Sequence, residues 1–553
     1  MDDGTTGWKS LPAMPPPVAA AEPELGGLPD SGGVSVVGPG RGKRGRRGRR
    51  GRGLGLALGW VPLAGVLVVQ AVLSLRLVRA DTAFQDEALY LWAGHREWAH
   101  WLHGVPVPPF PAYFSGAPVI YPPLGALADS AGGLAGARIL SLVFMLGATA
   151  LCWAAASRLF GRRAGFFAAA LFAVAGPTLH LGAFATYDAL SVLLVALAAW
   201  CAVRAGERAD ATGWMLAAGI ALALANAAAY STALLDPVVV VLAFLVACPR
   251  PGGKAALARA ATLLTVTVAL LLAGVLIGGG SYLSGIRQTT LARVSGADPA
   301  LSVLHGAWSW TGLIVVIAVL GAVLSYVRHR GSPLTWLLAL LAAAALLAPL
   351  DQSLLNTTAS LNKHVDAGAW FAAIAAGYAA EQFIAAAHDR RSRAAVCAAC
   401  GVALILPLSI GASQARSFST AWPNSASFTA IFRPLADHST GRLLVEDPSI
   451  AEYYLPAGAQ WQRWSSTRNI ILPSGASTGG PSRAAGIVGN GDPAAFARFI
   501  RRRYFSLVAL NFADTTTLDL AIRGDLKAAG YHIIQVVPYG TGTYVIFTRE
   551  NRT

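Results

Sequence analysis

Two adjacent carboxylates, Asp86 and Glu87, stand in the segment FQDEALYLW, which is otherwise aromatic and aliphatic. The chain has only 28 acidic residues among 553, so placing two side by side in such a segment is unusual. Close carboxylates resist joint ionisation, and such a pair can supply a general base near neutral pH. The alternative is that one of them caps the helix that follows. Capping needs one carboxylate and not two, which favours a chemical role for the pair.

The composition indicates that these residues belong to a membrane protein. Hydrophobic residues make up 55% of the chain and charged residues only 13%, about half the ~25% of an ordinary soluble domain. Apolar runs without charge recur along the chain, and many approach the ~20 residues that cross a ~30 Å hydrocarbon core. The net charge of +15 comes from short basic clusters between these runs. That pattern is typical of membrane topology and not of nucleic-acid binding.

Eleven apolar runs predict an α-helical polytopic membrane domain over residues 54–412. They lie at about 54–78, 137–157, 166–185, 189–203, 214–230, 233–249, 261–278, 307–327, 334–350, 366–387 and 394–412. The Pro- and Gly-rich residues 1–53 end in RGKRGRRGRRGRG. We expect them to form a disordered basic tail that stays in the cytoplasm beside anionic lipid.

The distribution of basic residues predicts the orientation of these spans. With the N-terminus inside, the five linkers expected in the cytoplasm hold thirteen Lys and Arg residues. The alternate linkers at about 79–136, 279–306 and 351–365 are longer and hold five. This asymmetry follows the positive-inside rule. Because the number of spans is odd, everything after about residue 412 is expected outside, on a multi-pass protein of the plasma membrane.

Residues 413–553 are predicted to form an extracytoplasmic α/β domain. Strand-like runs such as GRLLVED and YFSLVALNF alternate there with helix-like runs such as TTLDLAIRGDLKAAG. The Gly-rich GNGDP does not sit between a strand and a helix in the arrangement that cradles phosphate, so it predicts no nucleotide site.

Neither redox chemistry nor a metal centre is indicated by the sequence. Cys397 and Cys400 form a C-x-x-C, but they lie in an apolar run, where small packing residues are the ordinary interpretation. His95 and His103 are poorly spaced for metal ligands. The pattern indicates no divalent metal and leaves metal dependence open.

Four further ionisable residues are expected on the same outer side as Asp86 and Glu87, namely Asp188, Arg138, Lys363 and His364. Carboxylates near a membrane cost free energy unless they face a cavity or a partner, so their clustering predicts one extracytoplasmic site. An arginine could hold a phosphate with two parallel hydrogen bonds, and a lysine could add a point charge. The alternatives are that Asp188 caps its own span and that Arg138 snorkels to the interface. Together the residues suit a phosphorylated group presented from the membrane.

The motifs that carry these residues resemble those of the GT-C glycosyltransferases. The resemblance rests on FQDEALYLWAG, on YPPL at 121–124, on the Arg138 that opens the next span, and on TYDALSVLLVALAAW. It points in particular to glycosyltransferase family 39, the protein O-mannosyltransferase and aminoarabinose-transferase group. The likeness covers about residues 54–250, and beyond that it is mostly topological apart from NKHVDAG.

The resemblance implies an enzyme that moves a sugar from a polyprenyl-phosphate donor to an extracytoplasmic hydroxyl or similar group, usually with inversion. By position, Asp86 matches the family's catalytic aspartate, Glu87 its acidic neighbour and Asp188 an acidic residue at the outer end of a later helix. Arg138 and Lys363, with the adjacent His364, match contacts to the donor phosphate. The chain departs from the family at Tyr121, where members often carry His or Lys.

Two other classes of function compete with this interpretation. A multi-pass transporter would have two related halves with interrupted helices and ionisable groups near the bilayer midplane. Asn226 in mid-span favours it, but no internal repeat is evident. A non-enzymatic scaffold that displays the C-terminal domain leaves the Asp86–Glu87 pair unexplained. The sequence does not decide which sugar moves, whether the acceptor is a protein, a lipid or a cell-wall glycan, the oligomeric state, or the role of the C-terminal domain.

Overall fold

The computed structural model of the chain describes residues 60–249, 252–291, 295–471, 487–488 and 491–549. The predicted basic tail, residues 1–53, lies outside this part. In the described residues up to 418 the chain is helical. The helices are α1 (Val61–Leu75), α2 (Gln85–His103), α3 (Tyr121–Phe160), α4 (Arg162–Ala173), α5 (Gly176–Leu181), α6 (Tyr187–Gly206), α7 (Thr212–Ala228), α8 (Asp236–Ala247), α9 (Gly253–Ile286), α10 (Ala300–Arg328), α11 (Pro333–Ala343), α12 (Leu347–Leu354), α13 (Leu361–Ala385), α14 (Arg390–Ala403) and α15 (Ile405–Phe418).

Within the described residues, each of the eleven predicted apolar runs falls on one of these helices or on two consecutive ones. The polytopic helical fold is therefore confirmed. Within the described residues, seven helical segments are long and apolar enough to cross a membrane. The number of eleven spans stays a prediction. The last of these helices ends at Phe418, six residues beyond the predicted domain boundary at 412.

Helix α13 lies at the centre of the membrane part, packed against α10, α4 and α3. Small residues let the backbones approach closely: a Cβ added at Gly377 would lie 2.3 Å from the carbonyl oxygen of Ala164. Trp370 and Phe371 of the same helix pack against its neighbours and are almost completely buried. This packing fixes the position of Lys363 in the first turn of α13.

The two ends of these helices differ in chemistry. Helices α3, α6 and α13 begin at the end where Asp86 lies, and they finish near the basic linkers. At that second end Arg158 and Arg204 both contact Glu207, with N–O distances of 2.6 and 3.4 Å. The predicted site and the basic linkers therefore occupy opposite ends of the helices.

The C-terminal part contains a five-stranded mixed sheet in the order β2-β1-β5-β7-β6. Strands β1, β2 and β5 are parallel, and β7 and β6 continue the sheet antiparallel. The predicted α/β architecture is confirmed. Its elements are α16 (Ala426–His438), β1 (Arg442–Val445), α17 (Ser449–Tyr454), β2 (Trp464–Ser466), a short pair β3 (Ile470–Ile471) and β4 (Ile487–Val488), α18 (Pro493–Arg501), β5 (Phe505–Leu510), α19 (Thr516–Ala528), β6 (His532–Tyr539) and β7 (Gly542–Thr548).

Apolar side chains cover both faces of this sheet, which explains why β5 reads as a continuous hydrophobic run. All six residues of β5 are buried. Phe432 and Trp464 belong to the core on one face, and Phe496 and Ile522 to the core on the other. Asp492 and Pro493, the last two residues of GNGDP, start α18, where the Asp492 side chain accepts a hydrogen bond from the Ala494 N–H at 3.0 Å.

Hydrogen bonds of tryptophan and tyrosine side chains hold the C-terminal part against the segment that contains α2. The Trp92 indole donates to the Gly458 carbonyl at 3.1 Å, and the Trp461 indole donates to the Pro106 carbonyl at 3.0 Å. The Tyr454 hydroxyl accepts from the Ala83 N–H at 2.8 Å, directly before α2. These contacts close one side of the cavity described next.

Candidate active site

A cavity of about 980 Å³ lies where α2, the starts of α6 and α13, and the C-terminal sheet meet. The membrane part contributes Asp86, Lys363 and His364 to its lining. The C-terminal part contributes Asp447 and Glu452, among others. Cavities of this size and polarity are where small-molecule substrates bind.

Lys363 joins the two predicted catalytic aspartates, of which Asp86 lines the cavity. Its Nζ lies 2.8 Å from Asp86 Oδ2 and 3.7 Å from Asp188 Oδ2. Lys363 and Asp188 are buried, whereas the Asp86 side chain keeps 28% of its surface exposed. Asp188 also accepts a hydrogen bond from the Thr186 hydroxyl at 2.7 Å, at the start of α6. The structure thus brings together three residues that are up to 277 positions apart in the chain.

Asp86 is placed to accept a proton. It is the second residue of α2, and the lysine binds only its Oδ2. Among the described residues, no hydrogen bond is made to the other oxygen, Oδ1. A carboxylate held through one oxygen and open at the other can bind and deprotonate a hydroxyl group in the cavity.

Glu87 has a different environment although it is the next residue. It is completely buried and accepts two hydrogen bonds from Arg138, from Nε at 2.8 Å and from Nη2 at 2.6 Å. It also accepts from the Phe84 N–H at 3.0 Å, as in a capping box, and from the Ala185 N–H at 2.7 Å. Glu87 does not line the cavity. The capping alternative therefore describes Glu87, and its predicted catalytic role has no support in this geometry.

Arg138 likewise differs from its prediction as a donor-phosphate contact. Beyond its two bonds to Glu87, Nη1 donates to the carbonyls of Val78 and Asp81, both at 2.9 Å, and Nη2 donates to the Thr82 carbonyl at 3.1 Å. A guanidinium has five N–H groups, and all five are used. Arg138 is 1% exposed, so it does not reach the interface either, and none of its donors remains for a phosphate.

His364, the next residue after Lys363 in the chain, also lines the cavity. Its Nδ1 lies 2.7 Å from Nε2 of Gln352, and the same amide nitrogen donates to the Ala359 carbonyl at 3.2 Å. The imidazole is therefore held by Gln352 of α12, whose amide is fixed by the α12–α13 connection. It lies beside the Asp86–Lys363–Asp188 cluster.

The side of the cavity formed by the C-terminal sheet was missed by sequence reasoning. Asp447 follows β1, Arg468 and Asn469 follow β2, and Asp514 follows β5, and all four line the cavity. The sequence does contain a pattern that points to this edge, since acidic residues follow two predicted strands. Using it requires knowing that these strands are parallel, because parallel strands bring their carboxyl ends to one edge.

Glu452, on α17, is a further residue that the sequence did not single out. It is 8% exposed and lines the cavity. Burial, together with the nearby charge of Asp447, raises the pKa of Glu452 to about 8. Burial also raises the pKa of Asp447. Both carboxyl groups are thus shifted towards their protonated forms.

Within the described ranges, no group of three or more His, Cys, Asp or Glu residues has the geometry to hold a metal ion. The predicted catalytic residues are instead paired with cationic side chains. Metal dependence stays open.

Comparison with known proteins shows which families and structures this chain is similar to. Residues 127–277 match the family model described as dolichyl-phosphate-mannose-protein mannosyltransferase. ArnT from Cupriavidus metallidurans, solved bound to undecaprenyl phosphate, has a similar structure, with a TM-score of 0.58 and 15% identity over 90% of this chain and 99% of that one. Comparison with curated protein sequences found no match.

Two other solved structures share the fold. The oligosaccharyltransferase AglB from Archaeoglobus fulgidus, in complex with an inhibitory peptide and a dolichol-phosphate, gives a TM-score of 0.53 at 14% identity over 88% of this chain and 74% of that one. The mycobacterial arabinofuranosyltransferase AftD gives 0.50 at 15% identity over 88% of this chain and 42% of that one.

The chain shares the fold of GT-C glycosyltransferases, and the family match over residues 127–277 indicates a membrane glycosyltransferase. Within that superfamily it is similar to glycosyltransferase family 39, to which the sequence motifs pointed. The transporter alternative receives no support from these matches.

Proposed function

We propose that the protein transfers a sugar from a polyprenyl-phosphate donor to a hydroxyl group, with Asp86 as the general base. The observation that carries the proposal is the Asp86–Lys363–Asp188 cluster, of which Asp86 and Lys363 line the cavity. Glycosyl transfer from a phosphate needs a base for the acceptor and positive charge for the leaving group. Asp86 and Lys363 supply these two parts side by side.

The reaction then runs as a single displacement. The acceptor hydroxyl gives its proton to Asp86 Oδ1, and its oxygen forms a bond to the anomeric carbon of the sugar. The bond between that carbon and the phosphate oxygen breaks, and polyprenyl phosphate leaves with the electron pair. Attack opposite the leaving group inverts the anomeric centre.

Lys363 and His364 are assigned to the leaving phosphate. The ammonium has three N–H donors, and one is used on Asp86. The nearby Asp188 keeps the ammonium in place, since the two charged groups are 3.7 Å apart and both buried. Arg138 and Glu87 hold the start of α2 and do not touch the donor.

A polyprenyl-phosphate donor is favoured over a nucleotide sugar for two reasons. ArnT and AglB, which share the fold, were solved with undecaprenyl phosphate and with dolichol-phosphate. The cavity also lies at the helix ends opposite the basic linkers. By the positive-inside rule, that end of the helices and the C-terminal domain face away from the cytoplasm, where nucleotide sugars are found. This is the orientation expected in the plasma membrane.

The experiment supplies purified protein in detergent with a panel of radiolabelled polyprenyl-phosphate sugars and membrane extracts as acceptor, and measures the polyprenyl phosphate released. One donor should be consumed by the native protein and not by Asp86→Asn. Asp210→Asn, which changes an exposed carboxylate on a linker at the opposite helix ends, is the matched control and should react normally. Turnover of a soluble nucleotide sugar without any lipid carrier would overturn the proposal.

A further inference from the structure

Three parallel strands of the C-terminal domain end at the cavity, opposite Asp86. Residues that follow β1, β2 and β5 line it, and β1 lies between the other two. From β1 the chain moves to β2 on one side and later returns to β5 on the other. This is a topological switch point, where open α/β sheets bind their ligands outside the carboxyl ends of the strands.

The backbone at this switch point is already occupied by a side chain of the protein itself. Glu446 accepts hydrogen bonds from five consecutive N–H groups, those of residues 511–515, at 2.6 to 3.1 Å. The positive φ of Phe512, 58°, helps these groups converge. Such a nest of N–H groups ordinarily binds an anion such as phosphate. With Glu446 in place, it offers nothing to an anionic ligand or to the carbonyls of a peptide.

Recognition at this edge is therefore left to side chains. Glu452 is more than nine-tenths buried, lines the cavity and, within the described residues, makes no hydrogen bond through its carboxyl group. Asp447 and Asp514 add acceptors, and Arg468 and Asn469 add donors. The pKa of Glu452, raised to about 8, keeps this carboxyl group protonated and able to donate at neutral pH.

The same side chains select against charge on the ligand. With Glu452 protonated, two carboxyl groups, from Asp447 and Asp514, stand against one guanidinium, that of Arg468. A phosphate or a uronate placed here would meet more like charge than opposite charge. Trp461 also lines the cavity and provides an apolar ring face, on which the C–H face of a sugar ring can pack.

We propose that the carboxyl edge of β1, β2 and β5 is the acceptor subsite, and that the acceptor is an uncharged carbohydrate. Hydrogen-bond donors and acceptors beside an aromatic ring match the hydroxyl groups of a glycan. The volume of about 980 Å³ is at the upper end of the ~300–1,000 Å³ of small-molecule sites, so a sugar donor and a short glycan fit together. This inference rests on the proposed function, which supplies the donor half of the cavity.

Binding can be measured without turnover in the full-length Asp86→Asn protein. The probes are tritiated neutral tetrasaccharides of hexose and of pentose units, a uronic-acid tetrasaccharide and a serine- and threonine-containing peptide. At least one neutral tetrasaccharide should bind, and the uronic-acid probe and the peptide should not. Adding Asp514→Asn should weaken this binding at least tenfold, because hydrogen bonds to charged groups contribute roughly ten- to a hundredfold in affinity.

Asp525→Asn is the matched control for Asp514→Asn. Asp514 lies just before the start of α19, and Asp525 lies near the end of that helix, where it pairs with Arg501. Asp525→Asn should leave tetrasaccharide binding unchanged. In the otherwise native enzyme, Asp514→Asn should raise the KM for the acceptor and leave the KM for the donor unchanged, which a general loss of folding would not do.

The outcomes separate this inference from the proposed function. If no polyprenyl-phosphate sugar is consumed but a neutral tetrasaccharide binds through Asp514, the proposed function is wrong and the carbohydrate site stands. If transfer occurs to the peptide or to the uronic-acid probe, or if Asp514→Asn leaves the acceptor KM unchanged, the acceptor subsite is wrong and the proposed function stands.

Discussion

The two neighbouring carboxylates of α2 belong to two ion pairs of opposite character. Glu87 and Arg138 form a closed pair, buried and with every guanidinium N–H bonded. Asp86 and Lys363 form an open pair, part-exposed on the cavity wall. Consecutive residues on a helix point about 100° apart, so one side chain of the pair faces the interior and the other faces the cavity.

The difference between the two ion pairs indicates which ionisable residues of a membrane protein are available for catalysis. A closed pair stabilises an arrangement of chain segments, because its charges are fully compensated by groups of the protein. An open pair keeps hydrogen-bonding capacity for a substrate. Charge near a membrane marks a site only when it is incompletely satisfied, and four substitutions can break or sharpen this contrast.

The largest effect is expected from Asp86→Asn, which removes the base and keeps the shape of the side chain. Transfer should fall by at least ~10²-fold, the lower limit for losing general-base catalysis. Thermal unfolding should match that of the native protein, because Asp86 is part-exposed and the amide can still contact Lys363. Single-turnover transfer is the measurement. A variant that retains more than about a tenth of native transfer would remove Asp86 from this role and make Asp188 the next candidate.

Arg138→Met breaks the closed pair and should act on folding. Leaving Glu87 buried without its partner should destabilise the protein by about 3–5 kcal/mol, measured by unfolding in detergent. The control is the double variant Arg138→Met with Glu87→Gln, which removes both charges and should be more stable than the single one. An Arg138→Met protein of native stability that only binds donor more weakly would restore the predicted phosphate contact.

Lys363→Met tests the open pair from its other side. We expect the KM for the donor to rise and kcat to fall, each roughly tenfold or more, because the cation contacts the phosphate and also orients Asp86. Steady-state kinetics over a range of donor concentrations separates the two parameters. A change in kcat alone would limit Lys363 to orienting Asp86.

The smallest effect is expected from Glu452→Gln, and it depends on pH. In the folded protein the pKa of Glu452 is raised to about 8 from 4.5 by burial and by Asp447. The unfolded chain therefore loses this proton at lower pH, and the native protein loses stability as pH rises from about 4.5 to about 8. The glutamine variant lacks this loss, so its unfolding temperature should exceed the native one by an amount that grows over that interval. A constant difference at all pH values would contradict the assignment; Asp525→Asn serves as the control.

Much of the fold follows from local patterns in the sequence. Apolar run length and the positions of Lys and Arg predicted the helices, because the bilayer fixes the length of a span and anionic lipid favours basic loops. Short apolar runs such as GRLLVED and YFSLVALNF predicted β1 and β5 in the C-terminal domain. The clustering of Asp86, Asp188 and Lys363 at one end of the helices also followed from topology, although their roles stay predictions.

What could not be predicted depends on contacts between distant segments. Arg138 looks the same in the sequence whether it binds phosphate or Glu87, 51 residues away, and only packing decides. Glu452 lies in a short helix of six residues whose burial comes from docking against α2. Asp447 and Asp514 share one edge only because β1 and β5 pair in parallel, and register and direction of pairing are not visible in a single strand.

The hydrogen bonds that Glu446 accepts from residues 511–515 determine when this loop of the C-terminal domain becomes ordered. In many anion-binding loops the ligand completes the loop, so part of the binding energy is lost to fixing the backbone. Here the loop finds its anion within the chain, and its conformational entropy is lost when the domain folds. The edge of the sheet is thus preorganised before a ligand binds. Its loop needs no bound phosphate to become ordered, and it keeps its conformation when ionic conditions change.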